Sequence, residues 1–233
     1  WKWYFRDGVT SWEINYKNNN WDGTVVQYHS NGNEYQKGTF SAGHANGELT
    51  LHHANGQLYG SGEVSDSQTN SFNRAVYQGD WTWYHENGNK SWEGAYQDAN
   101  WNGQITRYHD NGQKYVEADY ENGIARGTFT QFHANGQIYS IGEADGSDLN
   151  SENHLVRTGL WANYYEDGTR SFEGTYVEGK LDGTASWYHA NGQKSALTEW
   201  VEGKMRGSWT GWHDNGNKWG HGYSYDGYGT SPK

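Results

Sequence analysis

The sequence predicts an all-β, elongated array of antiparallel β-hairpins. Three observations carry that prediction: a short turn motif that recurs along the whole chain, alternating aromatic segments on either side of it, and the absence of any competing helical periodicity. The motif reads aromatic, His, any residue, Asn, Gly. It stands at Tyr28-His29-Ser30-Asn31-Gly32 and returns around His53, His85, His109, His133, His189 and His213. Two looser copies, Tyr4-Phe5-Arg6-Asp7-Gly8 and Tyr164-Tyr165-Glu166-Asp167-Gly168, place an aromatic where the His stands and Asp-Gly where Asn-Gly stands.

The closing glycines fall at Gly8, Gly32, Gly56, Gly88, Gly112, Gly136, Gly168, Gly192 and Gly216, in steps of 24, 24 and 32 residues that repeat every 80. Trp1, Trp81 and Trp161 open three superunits, 1–80, 81–160 and 161–233, within one repeat domain spanning 1–233. The first two agree at roughly 40% of positions, as duplication of an ancestral block predicts. Each ends in an eight-residue enlargement rich in Ser, Asn and Asp, around Ser65–Gly79 and Asp145–Gly159.

Asn-Gly flanked by segments such as Trp81-Thr82-Trp83-Tyr84 and Lys90-Ser91-Trp92-Glu93 is the signature of a hairpin closed by a type I′ turn. Glycine-bearing segments such as Val177-Glu178-Gly179-Lys180 and Val201-Glu202-Gly203-Lys204 then link one hairpin to the next. About eighteen short strands in one twisted meander, at ~4.8 Å per strand, would extend about 85 Å. So thin a layer predicts that neighbouring chains or the sheet's own twist cover its aromatic face.

Composition narrows the function. The 233 residues include 33 Gly, one Pro, 14 Trp, 19 Tyr, 6 Phe and no Cys, which removes disulfides, thiolate metal sites and a thiol nucleophile. Aromatic burial must therefore carry the fold. A formal charge of −11, with 17 Lys and Arg scattered among 28 carboxylates, opposes nucleic acid and anionic lipid as partners. No apolar run reaches 18 residues, so no membrane insertion is expected, and the start at Trp1 suggests a leader already removed.

At this point the residues resemble the MORN repeat, in its bacterial variant with a tyrosine-tyrosine-x-asparagine-glycine hairpin followed by a glycine-lysine-x-x-glycine turn. Trp161-Ala162-Asn163-Tyr164-Tyr165-Glu166-Asp167-Gly168 and Gly179-Lys180-Leu181-Asp182-Gly183 carry the likeness, which covers nearly the whole chain. The resemblance implies a binding, scaffolding or immunity (antitoxin) role and brings no catalytic residue.

Candidate sites are weighed against packing. Trp1, Trp81 and Trp161 coincide between copies, as do Trp12 and Trp92 with Phe172, and a recurring aromatic is a packing position. Trp187 aligns with Arg107 and Gln27, and Trp83 and Trp3 with Asn163, so Trp83 and Trp187 are the candidates for ligand contact on a wetter face. The motif histidines should form a ladder that supports turns, because equivalent strands ~10 Å apart cannot share one ion at ~2.1 Å bonds. Mutual repulsion of imidazolium groups would let acid loosen such a ladder. Glu13, Glu93 and Glu173 form a stripe and not a catalytic pair, and no enzyme is expected. The enlarged loops, 64–71 and 145–152, offer oxygen ligands for Ca²⁺, but their carboxylates fall at different offsets, so polar surface loops and no cofactor are expected.

Two functions follow. One is a structural protein, a homo-oligomer that joins head to tail into a surface or extracellular fibre. The ends carry this expectation: Trp1, Trp3 and Tyr4 at one, and Trp219, Tyr223, Tyr225 and Tyr228 at the other, with no polar capping repeat at either. The alternative is a recognition module that binds a protein or a glycan through exposed aromatics.

Overall fold

A computed structural model describes residues 1–148 and 155–225. Among them are strands and turns and no helix. Contacts group the chain into two units, Trp1–Gly112 and Gln113–Lys233. The first holds β1 (Lys2–Tyr4), β2 (Thr10–Lys17), β3 (Asn20–Tyr28), β4 (Glu34–Ser41), β5 (His44–His52), β6 (Leu58–Val64), β7 (Tyr77–Tyr84), β8 (Lys90–Gln97), β9 (Asn100–Trp101) and β10 (Gly103–Tyr108). Each of β1 to β8 pairs antiparallel with the next, and the short β9 and β10 both lie on β8.

The second unit holds β11 (Lys114–Glu121), β12 (Ile124–Phe132), β13 (Ile138–Asp148), β14 (Arg157–Tyr164), β15 (Arg170–Val177), β16 (Lys180–Tyr188), β17 (Lys194–Val201), β18 (Lys204–Trp212) and β19 (Lys218–Ser224), again paired antiparallel in sequence order. The sequence expectation of an all-β hairpin meander is met in both.

The type I′ geometry expected of the Asn-Gly turns is found in the linking turns instead. At His29-Ser30-Asn31-Gly32-Asn33 the Gly32 N–H donates to His29 O at 2.9 Å and the His29 N–H to Asn33 O at 2.8 Å, and within the turn only Gly32 has positive φ. That is a type I turn followed by a left-handed glycine, a bulged hairpin end, and the strand register shifts beside it, between Gln27 and Tyr28. Type I′ geometry, which needs positive φ at both central residues, lies in the linking turns. Ala42-Gly43 (50° and 91°), Glu178-Gly179 (48° and 78°) and Glu202-Gly203 (50° and 76°) all meet it.

Period-two alternation sends one set of side chains to a single apolar face in the first unit. Ile14, Trp21, Val25, Phe40, Ala45, Leu49, Leu51, Val64 and Trp81 are buried there, with Trp12, Tyr77, Trp83 and Tyr96 packed against them. The enlarged loop supplies the lid. Phe72 inserts into this cluster, its ring centroid 4.9 Å from that of Phe40, 6.2 Å from Trp21 and 6.3 Å from Trp12. The loop read as a polar surface element is thus a plug with one buried aromatic, and in this unit it covers the part of the face around Trp12, Trp21 and Phe40, where a neighbouring chain or the sheet's own twist was expected.

Its polar residues do the anchoring. Asn70 Oδ1 accepts the Trp21 N–H at 2.7 Å, and the buried Ser67 Oγ accepts the Ala45 N–H at 3.0 Å. His44 Nδ1 lies 2.8 Å from Asp66 Oδ1 and 2.9 Å from Ser67 O.

Candidate functional site

The histidine ladder is built by hydrogen bonds that run from one repeat to the next. His29 Nε2 reaches His52 O at 3.0 Å, His53 reaches Tyr84 O at 3.1 Å, His85 reaches Tyr108 O at 3.2 Å, His133 reaches Tyr164 O at 3.0 Å and His189 reaches Trp212 O at 2.9 Å. A carbonyl only accepts, so each imidazole donates from Nε2. That donor survives protonation of the ring, so the bond itself does not depend on the neutral form. Tyr165, which stands in for His in the looser copy, does the same work: its hydroxyl donates to Tyr188 O at 2.7 Å.

The motif asparagine divides its two ends between two repeats. Asn31 Oδ1 accepts the Asn33 N–H at 3.1 Å within its own turn, while its Nδ2 donates to Ala54 O of the next at 2.6 Å. Asn135 repeats this with Gln137 N–H at 2.9 Å and Glu166 O at 2.8 Å. Asp7 and Asp167, in the looser copies, keep the local bond, to Val9 N–H at 3.1 Å and Thr169 N–H at 2.8 Å, and a carboxylate has no donor for the second. The bond from the Thr169 N–H holds the Asp167 carboxyl below its usual range.

Trp81 and Trp161, which fall 80 residues apart, show what happens where one repeat meets the next. Trp81 lies against the backbone of Gly62, leaving no room for a Cβ there, and its Nε1–H donates to Glu63 O at 2.9 Å. Trp161 lies on Gly142 in the same way and donates to Glu143 O at 2.9 Å. Their exposures are 1% and 0%. Trp1, at the equivalent position of the sequence repeat, is 80% exposed, and its ring meets that of Tyr16 edge-on at 6.0 Å. Trp3 and Tyr4 on β1 are exposed beside it, and so are Trp219, Tyr223 and Tyr225 on or after β19. Tyr223 and Tyr225 pair at 4.6 Å. Tyr228, expected to join them, lies outside the described residues.

The other expected sites are placed as follows. Trp83 sits on the core face and not on a wetter one, because a residue two positions from Trp81 in a strand points the same way. It is half-buried, stacked on Trp81 at 5.0 Å and edge-on to Tyr59 at 5.1 Å. Trp187, half-buried on β16, is held between Phe172 at 5.2 Å and Trp200 at 6.2 Å. The glutamate stripe is paired along the opposite face: Glu13 with Lys2 at 2.7 Å, Glu93 with Lys90 at 2.5 Å and Glu173 with Arg170. Oxygens of the first enlarged loop that could have met a cation instead bind His44, Ala45 and Trp21, as described above. Part of the second loop, residues 149–154, lies outside the described residues. Among the described residues no group of three or more His, Asp or Glu is placed to hold a metal ion.

Sequence reasoning missed the partners of the histidines and the role of Phe72. Substitution of His by Tyr165, another donor at the same spot, was the available signal for the first, and the isolated aromatic in a polar loop for the second.

Comparison with known families matches the MORN repeat variant at residues 77–96, 101–122, 126–144 and 181–201. No curated protein matches the chain. Each matched segment holds a hairpin turn and the alternating strands described above, and over these four segments the chain is similar to the MORN repeat variant.

Proposed function

We propose that this repeat array is a non-enzymatic structural module that associates end to end with copies of itself, forming a fibre at a cell surface or outside the cell. The supporting observation is the contrast between Trp1 at 80% exposure and its repeat equivalents Trp81 and Trp161 at 1% and 0%. At Trp81 and Trp161 the ring is covered by the adjoining strand, β6 or β13. Burying an indole stabilises by about 2–3 kcal/mol, so a strand from a second molecule laid against β1 would gain what the internal junctions gain. Among the described residues β1 pairs with β2 and β19 with β18. A free strand edge beside exposed aromatics is a template for pairing.

A contact between two different surfaces of one molecule propagates as an open filament unless the rotation closes it. Recognition through Trp83 and Trp187 draws less support, since both rings are packed between other aromatics. Sedimentation velocity of the 233-residue chain over a wide concentration range tests the proposal. A mass that grows with concentration and falls back in Trp1→Ala supports it; a fixed monomer overturns it.

A further inference from the structure

The end-to-end contact rests on the reading just proposed, and the internal junctions specify its register. In the first, β6 meets β7 with Gly60 directly opposite Trp83, and the Trp83 ring fills the space a Cβ on Gly60 would take. In the second, β13 meets β14 at the equivalent pair, Ser140 opposite Asn163, and there the two side chains are joined by a hydrogen bond of 2.8 Å. The residues change together: glycine faces tryptophan, serine faces asparagine. Advancing the superperiod once more places Gly220 of β19 opposite Trp3 of β1 in another copy, which is again glycine facing tryptophan.

We infer that Trp1 and Trp3 of one copy seat on Gly222 and Gly220 of the next, forming a junction of the Gly60–Trp83 kind. Four further features follow the same offset. Trp81 Nε1 donates to Glu63 O, so Trp1 Nε1 meets Tyr223 O. Tyr59 stands edge-on to Trp83, and its equivalent Trp219, exposed on β19, stands ready for Trp3. His53 Nε2 and Asn55 Nδ2 reach Tyr84 O and Glu86 O at 3.1 and 3.2 Å. Their equivalents, the exposed His213 Nε2 and Asn215 Nδ2, take Tyr4 O and Arg6 O of the second copy.

One internal residue competes for the seat. Trp209 leans over both glycines, and a Cβ on Gly220 or Gly222 would fall 3.1 or 2.8 Å from its ring. Its equivalents are Leu49 and Phe129, each smaller. Trp209 therefore covers the seat in the separate molecule and must move aside when Trp1 and Trp3 arrive.

The experiment compares the dissociation constant for self-association, by sedimentation velocity, among Gly220→Trp, Trp3→Asn, the double variant Trp3→Asn/Gly220→Ser and Trp209→Leu, with circular dichroism confirming the fold of each. Gly220→Trp and Trp3→Asn each weaken association about tenfold or more. The double variant, which installs the Ser140–Asn163 pair, recovers it, and Trp209→Leu tightens it. If the chain associates but the single variants leave its affinity unchanged, or the double variant is no better than its parents, this register is wrong while self-association stands. A wild-type chain that stays monomeric removes the functional reading and this register together.

Discussion

Trp81 lies flat on Gly62, with its indole N–H bonded to the neighbouring Glu63 carbonyl at 2.9 Å, and Trp161 holds the same relation to Gly142. A side chain at either glycine would displace an indole that is almost wholly buried. Gly62→Ala should therefore destabilise the first unit by about 2 kcal/mol or more, through overpacking against Trp81. Chemical denaturation monitored by tryptophan fluorescence reads the loss, and a midpoint equal to wild type would show that the indole has room to shift.

Phe72 fastens the enlarged loop to the sheet. Phe72→Ala should cost about 3 kcal/mol, the range for deleting a buried aromatic, and should expose Trp12, Trp21 and Phe40 to solvent. Binding of a hydrophobic dye to the variant and not to wild type checks the second half of the statement. No change in either measurement would contradict the plug.

The plug also has a pH signature. The Ser67 carbonyl, and after it the Asp66 carboxylate, hold the His44 pKa above its ordinary value. The Ser67 N–H, and after it His44, hold Asp66 below its own. A raised His pKa contributes stability that is full below about 6.5 and is lost as pH rises through the folded value; a depressed Asp pKa contributes stability that is full above about 4 and is lost as pH falls through its folded value. Amide exchange in residues 65–76, corrected for its intrinsic pH dependence, should accordingly be slowest between those limits and faster at mildly alkaline pH. His44→Ala should abolish the alkaline increase.

Inter-repeat histidines act as donors, so the choice of replacement matters more than the loss of His. His133→Tyr should retain most stability, as Tyr165 does in its own repeat with a bond to Tyr188 O. His133→Phe leaves Tyr164 O without its donor and should cost about 1 kcal/mol. Equal midpoints for the two variants would show that the ladder contributes shape alone.

Glu178 and Glu202 stand at the first central position of type I′ turns with φ of 48° and 50°, where a side chain without asparagine's local bonding is strained. Glu202→Asn should raise stability by about 0.5 kcal/mol without touching another residue. A lowered melting temperature would mean that Glu202 makes a contribution its backbone does not reveal.

Much of this architecture was legible because turns and burial repeat with the same period as the sequence. Trp81 and Trp161 were recognisable as packing residues from their coincidence with Trp1, and the glycine at each turn from its spacing. Assigning type I′ to Asn-Gly failed because the dipeptide reports that one positive φ is tolerated, not that two occur; the bulged turn uses Gly32 alone, whereas Ala42-Gly43 and Glu178-Gly179 use both positions. Trp83 was misplaced because alignment with Asn163 was given more weight than its two-residue spacing from Trp81. Phe72 was hidden by the polar residues around it, which face inward to bind backbone groups of β3 and β5 and not outward to water. Nothing in a local pattern says where a loop folds back to.

The central claim is that copies of the chain join through β1 and β19, and negative-stain microscopy of the intact chain beside a version lacking residues 1–8, which removes β1, tests it most directly. Filaments from the intact chain and dispersed particles from the shortened one are the predicted result. Dispersed particles from both, or filaments from both, would contradict it.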